Sequence, residues 1–267
     1  MNSPFAWPGG KRALKKTLLT LIPKHEIYVE VFAGSAKLLF AKPLSQCEVM
    51  NDLNGDVTNF FRVVKHRPSA LAELFDHEIV HAERFRDLRH DPLQDDELHR
   101  ALRFAYLAWY SYGAKGQHFA RGSAKGMLER GPKMKRSLDR VRDLLHETAE
   151  RLRNVLIEQR SFEDILTRYD SPSTWFYLDP PYVHFQANGR YTALTQEKRE
   201  QLFALLAGLK GNFLMSFDDC AEVRTLAKQH RFSVRGVKVG YTLASDAGNR
   251  KDASEVLIAN RPLRLAA

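Results

Sequence analysis

Short runs rich in β-branched and aromatic residues alternate along the chain with segments in which apolar residues recur at helical spacing. The predicted strands are residues 28–32, 47–51, 155–158, 175–179, 212–216, 232–239 and 255–259. Helical spacing is clear at residues 13–21 and 198–209. Strands that alternate with helices are typical of an α/β domain with a parallel sheet, so we expect a Rossmann-like, mostly parallel sheet of seven strands.

The stretch from residue 56 to residue 152 has a different pattern, with many charges and few β-branched runs. Its periodicity predicts helices at residues 68–75, 81–88, 96–110 and 135–152. A connection of this length is too long for a simple crossover between two strands. We therefore expect an inserted, mostly helical domain at residues 56–152 and a discontinuous α/β domain formed by residues 1–55 and 153–267.

The composition is that of an ordinary globular chain, with 267 residues of which 44% are hydrophobic and 27% charged. These proportions exclude the collagen-like, low-complexity and disordered classes. No apolar run reaches the length needed to span a bilayer, and the first residues lack the apolar core of a secretory signal. We expect a soluble, cytoplasmic protein without a membrane partner.

The two cysteines, Cys47 and Cys220, lie far apart, and neither has a Cys or His at ligand spacing. This arrangement argues against a disulfide framework and against a zinc site. We expect both to be small buried apolar residues, and we expect no metal.

The net charge of +9 favours an anionic partner such as nucleic acid, and the basic residues are concentrated in one stretch. Between Ser111 and Arg142 there are nine Lys and Arg against two acidic residues, together with five glycines. The pattern predicts a cationic loop that follows a phosphate backbone, with Tyr110, Tyr112 and Phe119 available for stacking. A solvated surface loop is the alternative.

Ligands of an open parallel sheet bind at the carboxyl ends of its strands, and three of these ends carry candidate residues. The turn Phe32-Ala33-Gly34-Ser35-Ala36 is made of small residues that let a ligand approach the backbone, although an ordinary strand-to-helix turn has the same pattern. Asp52 follows the next strand, where a carboxylate either accepts both hydroxyls of a ribose or caps a helix. The G-x-G-x-x-G fingerprint is absent, which argues against a dinucleotide-dependent dehydrogenase.

The third strand end, Asp179-Pro180-Pro181-Tyr182, carries the strongest signal. The two prolines end the strand and fix the turn. A carboxylate and a main-chain carbonyl are thereby held beside an aromatic ring. That set suits a planar heterocycle with an exocyclic amine, because two acceptors meet the two amino hydrogens and the ring stacks. A plain proline turn with a capping aspartate is the alternative.

The tetrapeptide Asp179-Pro180-Pro181-Tyr182 resembles the catalytic signature of amino-methylating S-adenosylmethionine-dependent methyltransferases. Trp7-Pro8-Gly9-Gly10-Lys11 resembles the W-x-G-G-K segment of the Dam-type DNA adenine-N6 methyltransferases. Residues 32–35 resemble their F-x-G-x-G cofactor loop, and residues 51–54 their N-D-x-N ribose motif. The order of the motifs matches the family over nearly the whole chain, and the match is weakest in the insert.

The resemblance implies methyl transfer from S-adenosylmethionine to N6 of a flipped adenine in a specific sequence of double-stranded DNA, leaving S-adenosylhomocysteine. It implies a prokaryotic or phage protein and catalytic roles for Asp179, Pro180, Pro181 and Tyr182. The cofactor contacts implied are Trp7, Gly10, Lys11, Phe32, Ala33, Gly34, Ser35, Asp52, Phe162 and Asp179. We expect DNA contacts from Lys115, Gln117, Arg121, Lys125, Arg130, Lys133, Lys135 and Arg136, and we expect a monomer, with a dimer on DNA as the alternative.

The chain departs from the family pattern at the cofactor loop, where Ala36 replaces the second glycine, and after the third strand, where Ser161-Phe162 replaces an Asp-Phe pair. Three other functions stay open: the same chemistry on cytosine-N4 of DNA, the same chemistry on adenine-N6 of RNA, and a non-catalytic nucleic-acid-binding module. The chain has no Pro-Cys nucleophile motif, which argues against cytosine-C5 methylation.

Overall fold

A computed structural model of the chain describes residues 1–7, 11, 14–91, 96–111, 114–120, 140–183, 193–239 and 253–263. The chain divides into a sheet unit (Lys11–Asn54 and Val155–Ala267) and a helical unit (Met1–Gly10 and Gly55–Asn154). The strands are β1 (Ile27–Glu30), β2 (Cys47–Asn51), β3 (Val155–Glu158), β4 (Thr174–Leu178), β5 (Asn212–Asp218), β6 (Ser233–Val239) and β7 (Ala253–Ala259). The helices in the described residues are α1 (Lys15–Thr20), α2 (Lys37–Ala41), α3 (Gly55–His66), α4 (Pro68–Asp76), α5 (Ala82–His90), α6 (Glu97–Tyr110), α7 (Val141–Leu152), α8 (Phe162–Tyr169), α9 (Gln196–Ala207) and α10 (Ala221–Gln229).

The seven strands form one sheet in the order β3-β2-β1-β4-β5-β7-β6. The first five of these strands are parallel, and β7 is antiparallel to both β5 and β6. The predicted α/β fold with a mostly parallel seven-stranded sheet is confirmed. The antiparallel pairing of the last two strands was not predicted, because periodicity gives no information on strand direction.

The centre of the sheet is formed by strands that are buried on both faces. All five residues of β4 are buried, as expected for a continuous apolar run in a parallel sheet. On one face, Phe176, Phe213 and Met215 pack in a core with Phe203 of α9 and Val223 of α10. Predicted and observed strands differ by at most two residues at either end, and β2 and β3 have the predicted bounds.

In its described residues, the helical unit contains helices α3 to α7, and the core between them is largely aromatic. The ring of Phe5 in the N-terminal segment lies 5.4 Å from the rings of both Phe60 and Phe61 of α3, measured between centroids. Phe104 of α6 lies 5.2 Å from Phe5 and 5.5 Å from Phe60. The indole Nε1 of Trp109 donates to the carbonyl of Pro4 at 3.1 Å. The described part of the N-terminal segment therefore packs in the helical unit, whereas we expected residues 1–55 to form part of the α/β domain.

The structure also bears on the expectations for the cysteines, for membrane-spanning segments and for metal sites. Cys47 and Cys220 are free, as expected, but both are only partly buried at the margin of the sheet core. Among the described residues, no helix is long and apolar enough to cross a membrane. These described residues also contain no group of three or more His, Cys, Asp and Glu side chains that could hold a metal ion.

Candidate active site

The register of the sheet brings the three predicted strand ends to one edge. Glu30, the last residue of β1, pairs with Met50 of β2 on one side and with Tyr177 of β4 on the other. All three strands are parallel, so the residues that follow them emerge at the same carboxyl edge. This edge therefore carries residues 31–36, residues 51–54 and residues 179–182.

Asp179 lies at the centre of this edge, one residue beyond the end of β4. Its Oδ1 lies 2.7 Å from Nζ of Lys11, and the hydroxyl of Ser216 on β5 donates to the same oxygen at 3.1 Å. The side chain retains 22% of its exposure. The carboxylate is thus anchored from two sides and still accessible to a ligand.

Lys11 connects Asp179 to Tyr182. Its ammonium group donates to the hydroxyl of Tyr182 at 2.6 Å and lies 4.6 Å from the centre of that ring. The carboxylate of Glu255 on β7, which is 1% exposed, lies 3.8 Å from the same ammonium. Lys11 itself is 7% exposed. One buried cation therefore faces two carboxylates, an arrangement that holds all three side chains in place because an uncompensated buried charge is costly.

The turn after Asp179 is fixed by contacts to β5. The ring of Tyr182 stacks on Phe217 with centroids 5.7 Å apart, and the amide of Val183 donates to Oδ1 of Asp218 at 3.2 Å. Pro180 is buried, and Pro181 and Tyr182 are partly buried. The aromatic ring that the sequence predicted beside the carboxylate is present, and its hydroxyl is tied to the same lysine.

The turn after β1 and Asp52 after β2 are joined. Oδ2 of Asp52 accepts from the amide of Gly34 at 2.7 Å, and Oδ1 accepts from the amide of Asn54 at 2.9 Å. Asp52 is 3% exposed. A carboxylate oxygen can accept more than one hydrogen bond, so the group orders the turn and can also accept from a ligand.

Ala36, which replaces a family glycine, adopts the left-handed backbone conformation that glycine favours. Its φ and ψ are 49° and 40°, and Gly34 also has a φ of 49°. The conformation costs a non-glycine residue roughly 1–2 kcal/mol. The substitution therefore leaves a left-handed turn in place while adding strain to the start of α2.

Ser161 and Phe162, the second departure, begin α8. Oγ of Ser161 accepts from the amide of Asp164 at 3.2 Å and so caps the helix. Phe162 is 7% exposed, belongs to the sheet core and lies 6.0 Å from the ring of Phe32. The serine thus has a structural role in this chain, and the ring of Phe162 is almost entirely buried.

Two buried polar residues at this edge were not predicted. The side chain of Asn51 donates to the carbonyls of Val31 and Arg160 at 2.9 and 3.0 Å and accepts from the amide of Arg160 at 2.9 Å, so it joins the ends of three strands. Glu30 accepts from the hydroxyl of Tyr28 and from the amide of Leu39, both at 3.0 Å. Burial raises the pKa of Glu30 to about 8. Both residues could have been found from the sequence, because each is a charged or amide residue within or at the end of an otherwise apolar predicted strand.

Among the remaining residues predicted to contact the cofactor, some lie at this edge of the sheet and others do not. Trp7 lies in the helical unit, where its ring is 5.6 Å from Phe5 and 5.8 Å from Phe104. These contacts are those of an anchor for the N-terminal segment. Gly10 lies outside the described residues, whereas Ala33, Gly34 and Ser35 lie in the turn after β1.

The predicted DNA-contacting stretch is described only in its first part. The hydroxyl of Ser111 accepts from the amide of Gly116 at 2.8 Å, and the backbones of Ser111 and Phe119 form an isolated antiparallel β-bridge. Lys115 is exposed, and Arg89 of α5 donates to the carbonyl of Gln117 at 2.8 Å. Outside the described residues lie Arg121, Lys125, Arg130, Lys133, Lys135 and Arg136.

Of the three aromatic residues predicted to stack on DNA, the prediction for Tyr110 is wrong. Tyr110 is 3% exposed and packs 4.7 Å from the ring of Tyr106 within α6. Phe119 is partly exposed and lies 5.6 Å from Phe85, and Tyr112 lies outside the described residues. Helical periodicity continues through Tyr110, and this is why its ring faces the core.

Comparison with known proteins gives matches that cover most of the chain. The family described as D12 class N6 adenine-specific DNA methyltransferase matches residues 7–242. A DNA adenine methylase of Salmonella typhi is 31% identical over 274 aligned residues that cover 96% of this chain and 94% of that protein. A DNA adenine methylase of Escherichia coli K12 is 29% identical over 269 residues, with 96% and 94% covered. A type II methyltransferase of Lactococcus lactis is 25% identical over 285 residues, with 96% and 95% covered.

Proposed function

Since the chain belongs to the D12 class of N6 adenine-specific DNA methyltransferases, we propose that its sheet unit binds S-adenosylmethionine and that its helical unit binds double-stranded DNA. The observation that carries the proposal is the carboxyl edge of the sheet, where Asp179 and Tyr182 lie on one strand end and the Gly34–Asp52 contact joins the two neighbouring ends.

The residues of this edge fit the chemistry of the cofactor. Gly34 has no side chain and a left-handed backbone, so a ligand can approach the main chain closely. Asp52 is held in place by two amides, and its carboxylate oxygens can accept further hydrogen bonds from the hydroxyls of a ribose. Phe32 and Phe162 follow β1 and β3, and their ring centroids lie 6.0 Å apart. When bound, S-adenosylmethionine supplies an electrophilic methyl group on a sulfonium.

Asp179 and the carbonyl of Pro180 are proposed to accept the two N–H groups of the target amine. The lone pair of an adenine amine is delocalised into the ring, and acceptors on both hydrogens favour a more tetrahedral nitrogen with a more available lone pair. The nitrogen would then be able to accept the methyl group that S-adenosylmethionine supplies. The proton that the amine gives up would pass to solvent, to which the side chain of Asp179 is 22% exposed. Positioning and electrostatics supply the acceleration, with no covalent intermediate on the protein.

The target base must leave the duplex before it can reach Asp179, at a cost of a few kcal/mol. Stacking on Tyr182 contributes about 1–3 kcal/mol in return. The basic stretch from Ser111 to Arg142 is proposed to supply the phosphate contacts that offset the remainder. The protein is proposed to act as a monomer. The DNA substrate and the bacterial sources of the relatives support action in the cytoplasm.

The substitution Asp179→Ala tests the proposal. Calorimetry should give a dissociation constant for S-adenosylmethionine within about threefold of the wild type, because Asp52 and the turn after β1 are unchanged, while methyl transfer to DNA should fall at least about a thousandfold. Asp143→Ala, at an exposed aspartate of α7, is the matched control and should retain full activity. Turnover by Asp179→Ala near the wild-type rate would remove Asp179 from the chemistry.

A further inference from the structure

We infer that Ser216 and Tyr177 are positioning residues that orient the carboxylate of Asp179 so that its Oδ2 accepts the target amine. The inference deepens the proposed function and rests on it. Neither residue belongs to the motifs by which the sequence identified the site. Ser216 lies in the middle of an apolar strand, and Tyr177 precedes the catalytic tetrapeptide.

The three side chains share one face of the sheet because of strand register. Tyr177 of β4 pairs with Leu214 of β5, and Leu178 pairs with Met215. Continued one residue beyond the end of β4, this register would place Asp179 beside Ser216. Side chains two residues apart on a strand point to the same face, so the side chains of Tyr177, Asp179 and Ser216 meet there.

The hydrogen bonds form a chain with a fixed direction. Oγ of Ser216 lies 3.1 Å from Oδ1 of Asp179 and 3.0 Å from the hydroxyl of Tyr177. An ionised carboxylate only accepts, so the single hydroxyl proton of Ser216 points to Asp179. The hydroxyl of Tyr177 must then donate to Ser216. Burial, followed by the nearby charge of Asp179, raises the pKa of Tyr177 well above its ordinary value, so this hydroxyl stays a donor at working pH.

The contacts to Asp179 distinguish its two oxygens. Within the described residues, the contacts from Lys11 at 2.7 Å and from Ser216 at 3.1 Å both end on Oδ1. Two donors on one oxygen fix the rotation of the carboxylate. The second oxygen, Oδ2, is therefore the one presented to a substrate amine.

The buried environment makes this orientation effective. Ser216 is fully buried and Tyr177 is 3% exposed, so water does not compete for either hydroxyl. Rotation of the carboxylate would leave the hydroxyl of Ser216 without its acceptor, which is costly in a buried site. The chain thus pre-organises Asp179 before DNA is bound.

The test measures single-turnover methyl transfer with saturating S-adenosylmethionine and DNA in Ser216→Ala, Tyr177→Phe and the double variant. Ser216→Ala should slow the methyl-transfer step by about tenfold, because it removes a hydrogen bond to a charged group. Tyr177→Phe should slow it by about threefold, and the double variant should be no slower than Ser216→Ala, since the hydroxyl of Tyr177 acts through Ser216. The dissociation constant for S-adenosylmethionine should stay within about twofold of the wild type in all three variants.

Tyr169→Phe is the matched control, because it removes a tyrosine hydroxyl that donates to the carboxylate of Glu158 at 2.8 Å on β3. It should keep the wild-type rate. A wild-type rate in folded Ser216→Ala or Tyr177→Phe, or independent effects that multiply in the double variant, would overturn the inference. Tyr177→Phe is isosteric, so it keeps the test decisive if Ser216→Ala fails to fold. Failure of the proposed function is distinguished by a wild-type protein that makes no methylated product at all, in which case the inference falls with it.

Discussion

The ammonium group of Lys11 lies 2.7 Å from Oδ1 of Asp179, although the two residues belong to different segments of the sheet unit's sequence. The same ammonium lies 3.8 Å from the buried carboxylate of Glu255. A single lysine thus lies beside two carboxylates, one of which is partly exposed. Lys11 of the N-terminal motif and Asp179 of the Asp-Pro-Pro-Tyr turn are therefore parts of one electrostatic unit.

Lys11→Met should be among the most damaging substitutions in the sheet unit. It removes the ammonium group that lies beside the carboxylates of Asp179 and Glu255, and loss of one partner of a buried ion pair costs about 3 kcal/mol or more. Urea unfolding should show this loss. Adding Glu255→Gln to Lys11→Met should recover part of it, because one of the two carboxylates that faced the ammonium is then neutral. Lys24→Met, at an exposed lysine, is the control, and equal stability of Lys11→Met and Lys24→Met would contradict the account.

Ala36→Gly and Ala33→Gly form a matched pair in the turn after β1. Both remove a buried methyl group and add the flexibility of glycine, but only Ala36 has a left-handed backbone. Ala36→Gly alone relieves strain, so its free energy of unfolding should exceed that of Ala33→Gly by about 1–2 kcal/mol. Denaturant titration of the two variants measures this difference. Equal values would mean that Ala36 is not strained in solution.

Glu30 should make the stability of the protein fall as the pH rises. Burial raises its pKa from 4.5 in a free chain to about 8 in the folded protein. Between these values the unfolded chain gives up a proton that the folded protein keeps, so ionisation favours unfolding over the range from about pH 4.5 to about pH 8.

Urea unfolding at pH 5, 6, 7 and 8 tests this expectation with Glu30→Gln, which cannot ionise. The decline in stability over this range should be clearly smaller in Glu30→Gln than in the wild type. Glu26→Gln, at an exposed glutamate, should give a curve parallel to that of the wild type. A decline in Glu30→Gln as steep as that of the wild type would assign the effect to another group.

The basic stretch should determine how DNA binding depends on salt. Replacing Lys125, Lys133 and Lys135 with glutamine should weaken binding to all DNA sequences. It should also reduce the slope of log affinity against log salt by about one unit for each phosphate that the protein no longer neutralises. Lys24→Gln with Lys210→Gln, at exposed lysines of the sheet unit, is the control and should leave the slope unchanged. An unchanged slope in the triple variant would remove this stretch from the DNA interface.

The sheet and the carboxyl edge could be predicted because the relevant signals are local. Continuous apolar runs such as β4 mark central strands. The two prolines of Asp179-Pro180-Pro181-Tyr182 mark where that strand ends. The motif also identified Tyr182 as the neighbour of the carboxylate, and the structure joins the two through Lys11.

The contacts that hold the site together depend on strand order and could not be predicted from local pattern. Ser216 and Glu255 reach the site because β5 lies next to β4, and β7 next to β5. For a related reason, the sequence did not show which unit the N-terminal segment packs in. Phe5 is an apolar residue that could belong to either core, and only the structure shows that its partners are Phe60 and Phe104 of the helical unit. In this chain, periodicity predicts which residues are buried more reliably than it predicts which residues they pack against.

The most direct test of the central claim is a methyl-transfer assay with labelled S-adenosylmethionine and unmethylated double-stranded DNA, followed by mass spectrometry of the nucleosides. The account predicts N6-methyldeoxyadenosine as the product. N4-methyldeoxycytidine would keep the role of Asp179 but contradict the assigned base. Absence of any product on DNA, with product on RNA or with no binding of S-adenosylmethionine, would contradict the account itself.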